Sequence, residues 1–484
     1  MAGDIMDVHV YVLPLDLLFC KLLYHAAIRL LSLPTAHPLA HCVRSASQRK
    51  VKRHLSPIHH LVNFAGLNPK DIETIAPVRR SPGYNPVFKT VVPPSKEVAL
   101  PFAILTNKSS PVRVYSDGSG FEGGIGASAL LYINDRLARS LRVYLGTAQE
   151  HTIYKAEGVG LLLGLHLLHG LTRQLTHSVI LGTDSQAVIK ALNNQLSHPG
   201  HYLLDAIHLA TEQLHAKQDG IINCEEHVQA INTGDQWKGD SRGVIDLQIH
   251  WVPGHCDFTP NERADEEAKL ATQGSSSDSR FLPQLLHKKL PLSVFALRQE
   301  NSLKLKKRWS RRWKSSERKN LLRSIDSSAP SKKYLHLISD LDRRQASILF
   351  QLCTGHIGLN QHLFRIRKAE SPACPLCQGI TVETIKHFLL ECPHYRQQRH
   401  ILQRKLCRNV GSLSFLLNSP VAVRPLLNFV RSTGRFKAMF GKDIDDKINT
   451  NARRNGELQA AGERLKHSIR KAVASNCKKS LERT

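Results

Sequence analysis

Four acidic residues carry the first chemical signal in the sequence, because each lies on a different predicted element. They are Asp117, Glu157, Asp184 and Asp265. Asp117 ends a short predicted strand and Asp184 directly follows a buried one, where sites in open α/β sheets usually lie. Glu157 and Asp265 lie in the early turns of two predicted helices. Carboxylates that converge from four elements predict a site for two divalent metal ions.

Such a site is suited to the cleavage of phosphodiester bonds. The reaction needs an activated water and a stabilised leaving oxygen, and two hard cations about 4 Å apart, held by oxygen ligands, supply both. We therefore expect two Mg²⁺ or Mn²⁺ ions, with Asp117 bridging them. His255 follows a predicted strand in a Pro-Gly turn, a position suited to proton shuttling or product release. Taken singly, the aspartates could be turn or helix caps, and Glu157 and His255 could be ordinary surface residues.

The elements that must position these residues follow from the spacing of apolar side chains. Strands are predicted over 112–115, 125–133, 137–145, 178–182 and 246–252, and helices over 151–169, 185–193, 201–216 and 261–272. This order predicts an α/β fold with a mixed five-stranded sheet and helices on its faces. The polar, glycine-containing stretch 217–243 is expected to be a surface insertion. Asn261 is expected to cap the last helix, although it also neighbours the site.

A glycine pattern after the first strand imitates a dinucleotide-binding motif. Gly118, Gly120 and Gly123 have the spacing G-x-G-x-x-G, which requires a helix to follow. The next residues, 125–133, are rich in β-forming side chains instead. The pattern therefore excludes a Rossmann fold and predicts a turn and a wide loop between two strands.

Five short segments together resemble the motifs of type 1 ribonuclease H. They are Tyr115–Ser119, Lys155–Glu157, Thr183–Ser185, Trp251–His255 and Asn261–Asp265. The resemblance implies a ribonuclease H-like fold and hydrolysis of the RNA strand of RNA–DNA hybrids. It also implies that the four acids bind metal and that His255 assists turnover.

A cluster of cysteine and histidine predicts a second metal site. Cys374 and Cys377 form a C-x-x-C pair, and His387 and Cys392 follow at a short distance. This spacing is typical of a closed, tetrahedral Cys₃His zinc site with a structural role. His394 is an alternative fourth ligand, and four unlinked reduced residues are the simpler interpretation.

The residues around this cluster also resemble a known tail. The segment His387–Pro393 is similar to the zinc-binding tail that follows reverse transcriptase and ribonuclease H in LINE-type (non-LTR) retrotransposon polyproteins. The segments Leu352–His356 and Pro57–Ile75 resemble connecting segments of fungal members. A Tyr-x-Asp-Asp-type polymerase motif and an endonuclease domain are missing. The resemblance implies the carboxyl-terminal third of such a polyprotein, either domesticated or a fragment.

The chain between the two predicted metal sites is strongly basic. Leu305, Trp309 and Trp313 recur every four residues and form the apolar stripe of a helix. Five basic residues flank this stripe: Lys306, Lys307, Arg308, Arg311 and Arg312. We expect the tryptophans to pack on the ribonuclease H domain and the basic side chains to contact the phosphates of a hybrid. The alternative is a packed helix whose basic face is merely solvated.

Bulk composition agrees with a nucleic-acid partner. The 484 residues include 67 Lys and Arg against 40 Asp and Glu, which favours nucleic acid before an anionic membrane; a merely basic surface is the alternative. Most of the cysteines are scattered singly, which predicts an intracellular, non-secreted protein. Charges interrupt the apolar stretch 8–33, so it predicts amphipathic helices and neither a membrane span nor a signal peptide. The sequence distinguishes neither nucleus from cytoplasm nor one oligomeric state from another.

These observations predict six parts. They are a helical remnant of the reverse-transcriptase-connecting region (1–75), a proline-rich linker (76–110), the ribonuclease H domain (111–275), a basic helical linker region (276–370), the zinc knuckle (371–400) and a helical, partly disordered tail (401–484). The leading functional prediction is a retroelement-derived, Mg²⁺-dependent endoribonuclease that acts on RNA–DNA hybrids. The alternatives are a nucleic-acid-binding module that keeps the fold without turnover, and an unexpressed transposon remnant.

Overall fold

The computed structural model of the chain describes residues 3–48, 54–76, 80–81, 83–175, 178–233, 245–317, 319–407 and 409–440. The chain divides into two compact units. Unit 1 comprises Met1–Pro14 and Arg308–Thr484, and unit 2 comprises Leu15–Lys307. Within the described ranges, no helix has the length and apolar character needed to cross a membrane.

The elements follow one another in a mixed order of helices and strands. The strands are β1 (Lys89–Val91), β2 (Val112–Phe121), β3 (Gly124–Ile133), β4 (Arg136–Thr147), β5 (Val179–Thr183) and β6 (Leu247–Trp251). The helices are α1 (Gly3–His9), α2 (Leu15–Leu31), α3 (Ala40–Gln48), α4 (Pro57–Ala65), α5 (Lys96–Ser109), α6 (Ile153–His169), α7 (Gln186–Leu192), α8 (His201–Thr233), α9 (Thr259–Thr272), α10 (Val294–Ser315), α11 (Lys319–Arg323), α12 (Lys333–Ile338), α13 (Arg343–Thr354), α14 (Asn360–Arg365), α15 (Arg396–Leu406), α16 (Leu413–Asn418), α17 (Pro420–Ser432) and α18 (Lys437–Phe440). Short 3₁₀ turns lie at Pro69–Asp71, Ser279–Phe281, Gln284–His287 and Pro393–Tyr395, and a π-helical turn lies at His387–Glu391.

The strands of unit 2 form one mixed sheet in the order β1-β6-β5-β2-β3-β4. Strands β1, β6, β5 and β2 run parallel, and β3 and β4 continue antiparallel from β2. The prediction of an α/β fold with a mixed sheet flanked by helices is confirmed. The predicted number of five strands was wrong, because β1 pairs with β6. Periodicity could not find β1, since it has only three residues and follows a proline-rich stretch.

The core of unit 2 lies between the sheet and helix α6. All but a few side chains of α6 are buried, including Leu161, Leu163 and Leu165, which are fully enclosed. A helix that is apolar on nearly all sides belongs in an interior rather than on a surface. The long helix α6 therefore forms a rigid support behind β2 and β3.

The hairpin between β2 and β3 is tighter than the glycine pattern suggested. Strand β2 continues to Phe121, and only Glu122 and Gly123 separate it from β3. Both turn residues have positive φ, as a two-residue hairpin turn requires. The predicted wide loop was therefore wrong, because Gly118 and Gly120 lie inside the strand. The other predicted turn, Asn134–Asp135, also has positive φ at both residues.

Two predicted helix boundaries near the site were also wrong. Helix α8 continues to Thr233, so the first part of the stretch predicted as an insertion is helical, and Gln218 is buried. Residues 234–243 of that stretch lie outside the described residues. Helix α9 begins at Thr259 with Phe258 as its N-cap residue, so Asn261 lies in the first turn instead of capping the helix.

Unit 1 has its own apolar core. Helices α13, α16 and α17 and the segment around Phe388 contribute its buried side chains, among them Leu352, Leu416 and Leu426. Trp309 and Trp313 of α10 are buried, and the ring of Trp309 lies 5.4 Å from that of Tyr11. The tryptophans are buried as predicted, but the aromatic partner of Trp309 is Tyr11 of unit 1 and not a residue of the predicted ribonuclease H domain. Residues 441–484 of the predicted tail lie outside the described residues.

Candidate active site and metal centres

The register of two parallel strands brings Asp117 and Asp184 together. Ser116 of β2 pairs with Thr183 of β5. Asp117 follows Ser116 and Asp184 follows Thr183, so the two aspartates lie side by side. Asp184 directly follows β5, as predicted. Asp117 lies within β2, opposite Ser128 of β3, and not at the end of its strand as predicted. The strand is longer than expected because polar and glycine residues continue its pairing with β3.

A close approach of β2 and α6 adds Glu157. A Cβ atom at Gly118 would overlap the backbone nitrogen of Glu157 and the backbone carbon of Ala156. Only glycine allows the strand to pass so near the helix. Because Gly118 follows Asp117 directly, this contact fixes the carboxylate of Glu157 beside that of Asp117.

The three carboxylates form a compact cluster. One oxygen from each of Asp117, Glu157 and Asp184 lies within 4.8 Å of the others. Burial, followed by the charges of Asp184 and Asp265, raises the pKa of Asp117 to about 8. Burial and the neighbouring aspartates also raise the pKa of Glu157 well above its ordinary range, and burial raises the pKa of Asp184. Buried carboxylates repel one another, and a divalent cation among them would relieve this repulsion.

Two contacts hold the chain at Asp184. The indole Nε1 of Trp251 donates a hydrogen bond to the Asp184 carbonyl oxygen at 3.0 Å. A Cβ atom at Gly254 would lie 2.6 Å from Asp184 Oδ2, so a side chain there would displace the carboxylate. The Trp251–His255 segment thus positions Asp184 as well as His255.

Asp265 lies at the same site but outside the compact cluster. The four acids line one cavity of about 300 Å³, called the acid cavity here, together with Lys269. Lys269 Nζ lies 2.6 Å from Asp265 Oδ2, one helical turn away on α9. Asp265 is therefore paired with an ammonium group, which the sequence interpretation missed although the i, i+4 spacing was visible.

Two further residues face this cavity. His255 is exposed, has a φ of 56° and lines the acid cavity, as expected for a loop residue near the acids. Asn261 lines it as well and is 3% exposed, and its Oδ1 has no hydrogen-bond partner among the described residues. An unpartnered buried amide oxygen beside three carboxylates is a donor set that suits a hard cation and its bound water.

The cysteine cluster has the dimensions of a zinc site. Cys374, Cys377, His387 and Cys392 each offer a ligand atom within 4.8 Å of the others. Cys377 Sγ lies 3.7 Å from Cys392 Sγ and 3.4 Å from His387 Nε2. A tetrahedral ion with Zn–S bonds of about 2.3 Å would separate two sulfurs by roughly 3.8 Å. The structure brings His387 into the cluster, whereas His394 is exposed and outside it.

The basic residues of α10 are all exposed and none lines the acid cavity. They are Lys306, Lys307, Arg308, Arg311 and Arg312. The apolar stripe beside them is buried at Leu305, Trp309 and Trp313. The helix thus has the packed and basic faces that its sequence predicted, and the phosphate contacts stay a prediction.

Comparison with known proteins finds a similarity to RNase H in this region. The family model for RNase H matches residues 109–273. Among solved structures, the chain is similar to RNase H1 of the halophilic archaeon Halobacterium salinarum NRC-1, with 21% identity, a TM-score of 0.22, and coverage of 34% of this chain and 98% of that one. It is similar to the N-terminal RNase H domain of a Mycobacterium tuberculosis protein, solved as a maltose-binding-protein fusion, with 20% identity, a TM-score of 0.22, and coverage of 34% and 95%.

A third similar structure is LC11-RNase H1 in complex with RNA/DNA hybrid, at 16% identity and a TM-score of 0.20, covering 34% of this chain and 97% of that one. Likenesses at these levels carry no inference about activity. No curated protein matches the chain.

Proposed function

We propose that this chain is a metal-dependent endoribonuclease that hydrolyses the RNA strand of RNA–DNA hybrids. The observation that carries the proposal is the cluster of Asp117, Glu157 and Asp184 inside the region that matches RNase H. The predicted limits of this domain, 111–275, stay a proposal that the family match supports. Divalent ions held there, Mg²⁺ or Mn²⁺ and two in number, would supply an activated water and stabilise charge on the leaving oxygen.

The protein side chains have separate roles in this proposal. Asp117, Glu157 and Asp184 would hold the ions from β2, α6 and the end of β5. Asp265, now paired with Lys269, would add a further carboxylate oxygen to this ligand set if a cation took the place of the ammonium group. His255, in its exposed loop, moves a proton or assists product release.

The test is hydrolysis of a labelled RNA–DNA hybrid by the full chain, with duplex DNA, duplex RNA and single-stranded RNA for comparison. Asp117→Asn should lower kcat about a thousandfold, because metal-ion catalysis contributes several kcal/mol. Glu266→Gln is the matched control, since Glu266 is an exposed acid next to Asp265 that does not line the acid cavity. Failure of the wild type to cut the hybrid with either Mg²⁺ or Mn²⁺ would overturn the proposal.

A second candidate is a module that binds nucleic acid without turnover. The ion pair between Asp265 and Lys269 favours it, because it occupies one expected metal ligand. Hybrid binding that weakens with salt, without cleavage, would select this candidate. The exposed basic residues of α10 would contribute to such binding in either case.

We further propose that the Cys374, Cys377, His387 and Cys392 cluster binds one structural Zn²⁺ ion, which its donor set and sulfur spacing support. A retroelement origin of the chain is also a proposal, and it rests on the similarity of His387–Pro393 to the tail of LINE-type polyproteins. Reading the genomic sequence upstream of the coding region tests it: an in-frame polymerase motif supports this origin.

A further inference from the structure

Three cavities of unit 2 adjoin one another in a row that begins at the acid cavity. Gly120 and Ile153 line both the acid cavity and a second cavity of about 570 Å³, called the apolar cavity here. His151 lines both the apolar cavity and a third cavity of about 930 Å³, called the lysine cavity here. The row therefore extends from the carboxylate cluster along the start of α6.

The apolar cavity has walls that suit a sugar or a base. Ile153 and Phe295 line it with side chains that are 49% and 41% exposed, and three glycines also line it. Exposed aromatic side chains beside a catalytic site provide stacking surfaces for nucleotides. Phe295 and Gln299 belong to α10 and lie outside the region that matches RNase H.

The lysine cavity has a surplus of positive charge. Lys70, Lys288 and Lys289 line it and are exposed. No ion pair joins these lysines to an acid among the described residues. Such lysines can bind phosphate oxygens without breaking an existing pair.

Two carboxylates and two histidines also line this cavity. The acids are Asp71 and Glu150, and the histidines are His151 and His287. The carboxylate of Glu150 accepts hydrogen bonds from the Thr147 backbone nitrogen at 2.9 Å and hydroxyl at 3.0 Å. Burial lowers the pKa of His151 to about 4, so this ring is neutral near pH 7. Three lysines against two acids leave the cavity net positive.

We propose that one strand of the substrate runs from the acid cavity across the apolar cavity to the lysine cavity. Phe295 would contact a sugar or base, and Lys288 and Lys289 would contact phosphates. Ile153, at the start of α6, lines both the acid cavity and the apolar cavity, and four residues, roughly 6 Å along the helix axis, separate it from Glu157. At about 3.4 Å of rise per nucleotide, the apolar cavity begins about two nucleotides from the acids, and the lysine cavity follows it in the row. This inference rests on the proposed function, and it assigns part of hybrid binding to residues outside the ribonuclease H domain.

The first experiment measures hybrid binding by the full chain in the Asp117→Asn background, as a function of salt. Lys288→Gln with Lys289→Gln should raise the Kd about fivefold and reduce the slope of log K against log salt by about 1.8, because each phosphate contact contributes about 0.9. Lys108→Gln with Lys190→Gln is the matched control, since both lysines are exposed in unit 2 and line none of the three cavities. Equal Kd values and slopes for the two double variants would overturn the inference.

The second experiment measures cleavage kinetics in the wild-type background. Phe295→Ala should raise KM about tenfold for a long hybrid with little change in kcat, because a lost base or sugar contact weakens binding only. A hybrid that ends one nucleotide from the cleaved bond on the apolar-cavity side should show no such rise. Leu303→Ala is the control, since Leu303 is 52% exposed on the same helix and lines none of these cavities. A KM for Phe295→Ala equal to that of the control would contradict the inference.

The outcomes separate this inference from the proposed function. Weaker binding by the lysine variant, without any cleavage by the wild type, supports the extended surface and overturns the proposed activity. Cleavage by the wild type, with cavity variants that behave like their controls, supports the activity and overturns the extended surface. A chain that binds no hybrid at all overturns both.

Discussion

Lys155 and Glu73 form an ion pair in the interior of unit 2. The ammonium nitrogen of Lys155 lies 3.6 Å from Glu73 Oε2, and the two side chains are 1% and 0% exposed. Lys155 also donates a hydrogen bond to the Pro291 carbonyl oxygen at 2.7 Å. Because Lys155 precedes Glu157 by two residues on α6, the pair and the hydrogen bond to Pro291 connect the helix of one candidate metal ligand to segments on both sides of the region that matches RNase H.

Glu73 is the centre of this network. Its carboxylate accepts hydrogen bonds from the backbone nitrogens of Gly200 at 2.7 Å and Val294 at 2.6 Å. Each of its oxygens therefore has a backbone donor in addition to the ammonium group nearby. A buried charge with this number of partners is stable only while all of them are present.

Removal of the Glu73 carboxylate should destabilise unit 2. Glu73→Ala leaves the Lys155 ammonium and two backbone donors buried without their partner, which we expect to lower the free energy of unfolding by about 3–5 kcal/mol. Urea unfolding followed by hydrogen exchange of α6 peptides measures the change. The double variant Glu73→Leu with Lys155→Met should recover the part of the loss that comes from the unpaired ammonium, while the two backbone donors stay without an acceptor, and Glu266→Ala should show little change. A loss below about 1 kcal/mol in Glu73→Ala would contradict this account.

The stability of unit 2 should depend on pH through Lys155. Burial lowers the pKa of Lys155 from 10.5 to about 8, although Glu73 acts in the opposite direction. Between these values the unfolded chain holds a proton that the folded chain lacks, so the free energy of unfolding rises with pH in this window. The shift corresponds to about 3 kcal/mol.

The measurement compares the wild type with Lys155→Met in urea from about pH 7.5 to about pH 10. The wild type should gain stability relative to the variant as the pH increases across this range. If the folded and unfolded chains bind this proton equally, the difference in the free energy of unfolding between the wild type and the variant should not change with pH. That result would show the expectation to be wrong.

The places of Glu157 and Asp184 relative to their elements could be predicted from the sequence because local patterns determine them, whereas that of Asp117 could not, because β2 continues past it to Phe121. The strand before Asp184 and the helix that carries Glu157 have clear apolar periodicity, and each acid has a fixed place relative to its element. The partner of Lys155 could not be predicted, because Glu73 lies far away in the chain, in a segment without a strong pattern. Strand β1 was missed for a related reason: its three residues become a strand only by pairing with β6.

Lys269 should compete with metal ions for Asp265. The hydrogen bond to Asp265 is the main reason that the pKa of Lys269 is raised, so its ammonium stays charged at neutral pH. Lys269→Met removes this competitor, and we expect Mn²⁺ to bind the site several-fold more tightly, because the carboxylate becomes available. Calorimetric titration with Mn²⁺ measures this without reference to activity. Lys269→Arg keeps the charge and should resemble the wild type, and weaker Mn²⁺ binding by Lys269→Met would exclude such competition.

The spacing of the cysteines predicted the zinc cluster from the sequence. The sequence could not decide which of two histidines is the fourth ligand. Both His387 and His394 lie near Cys392 in the chain. The π-helical turn His387–Glu391 places the first of them beside Cys377, and the hydrogen bond from the His387 backbone nitrogen to Thr384 Oγ1 at 2.9 Å holds the start of that turn. The decision thus depends on local backbone geometry.

Loss of one thiolate should release zinc from unit 1 and weaken its fold. Cys374 is 1% exposed and packs in the core of this unit, so Cys374→Ser should remove both the ion and part of the packing around it. Elemental analysis of the purified chain should find about one zinc per molecule in the wild type and in the control Cys407→Ser, whose thiol is exposed, and much less in Cys374→Ser. His387→Ala should lose zinc as well, whereas His394→Ala should retain it, because only His387 lies within the cluster. Zinc retained by His387→Ala and lost by His394→Ala would reverse the assignment of the fourth ligand.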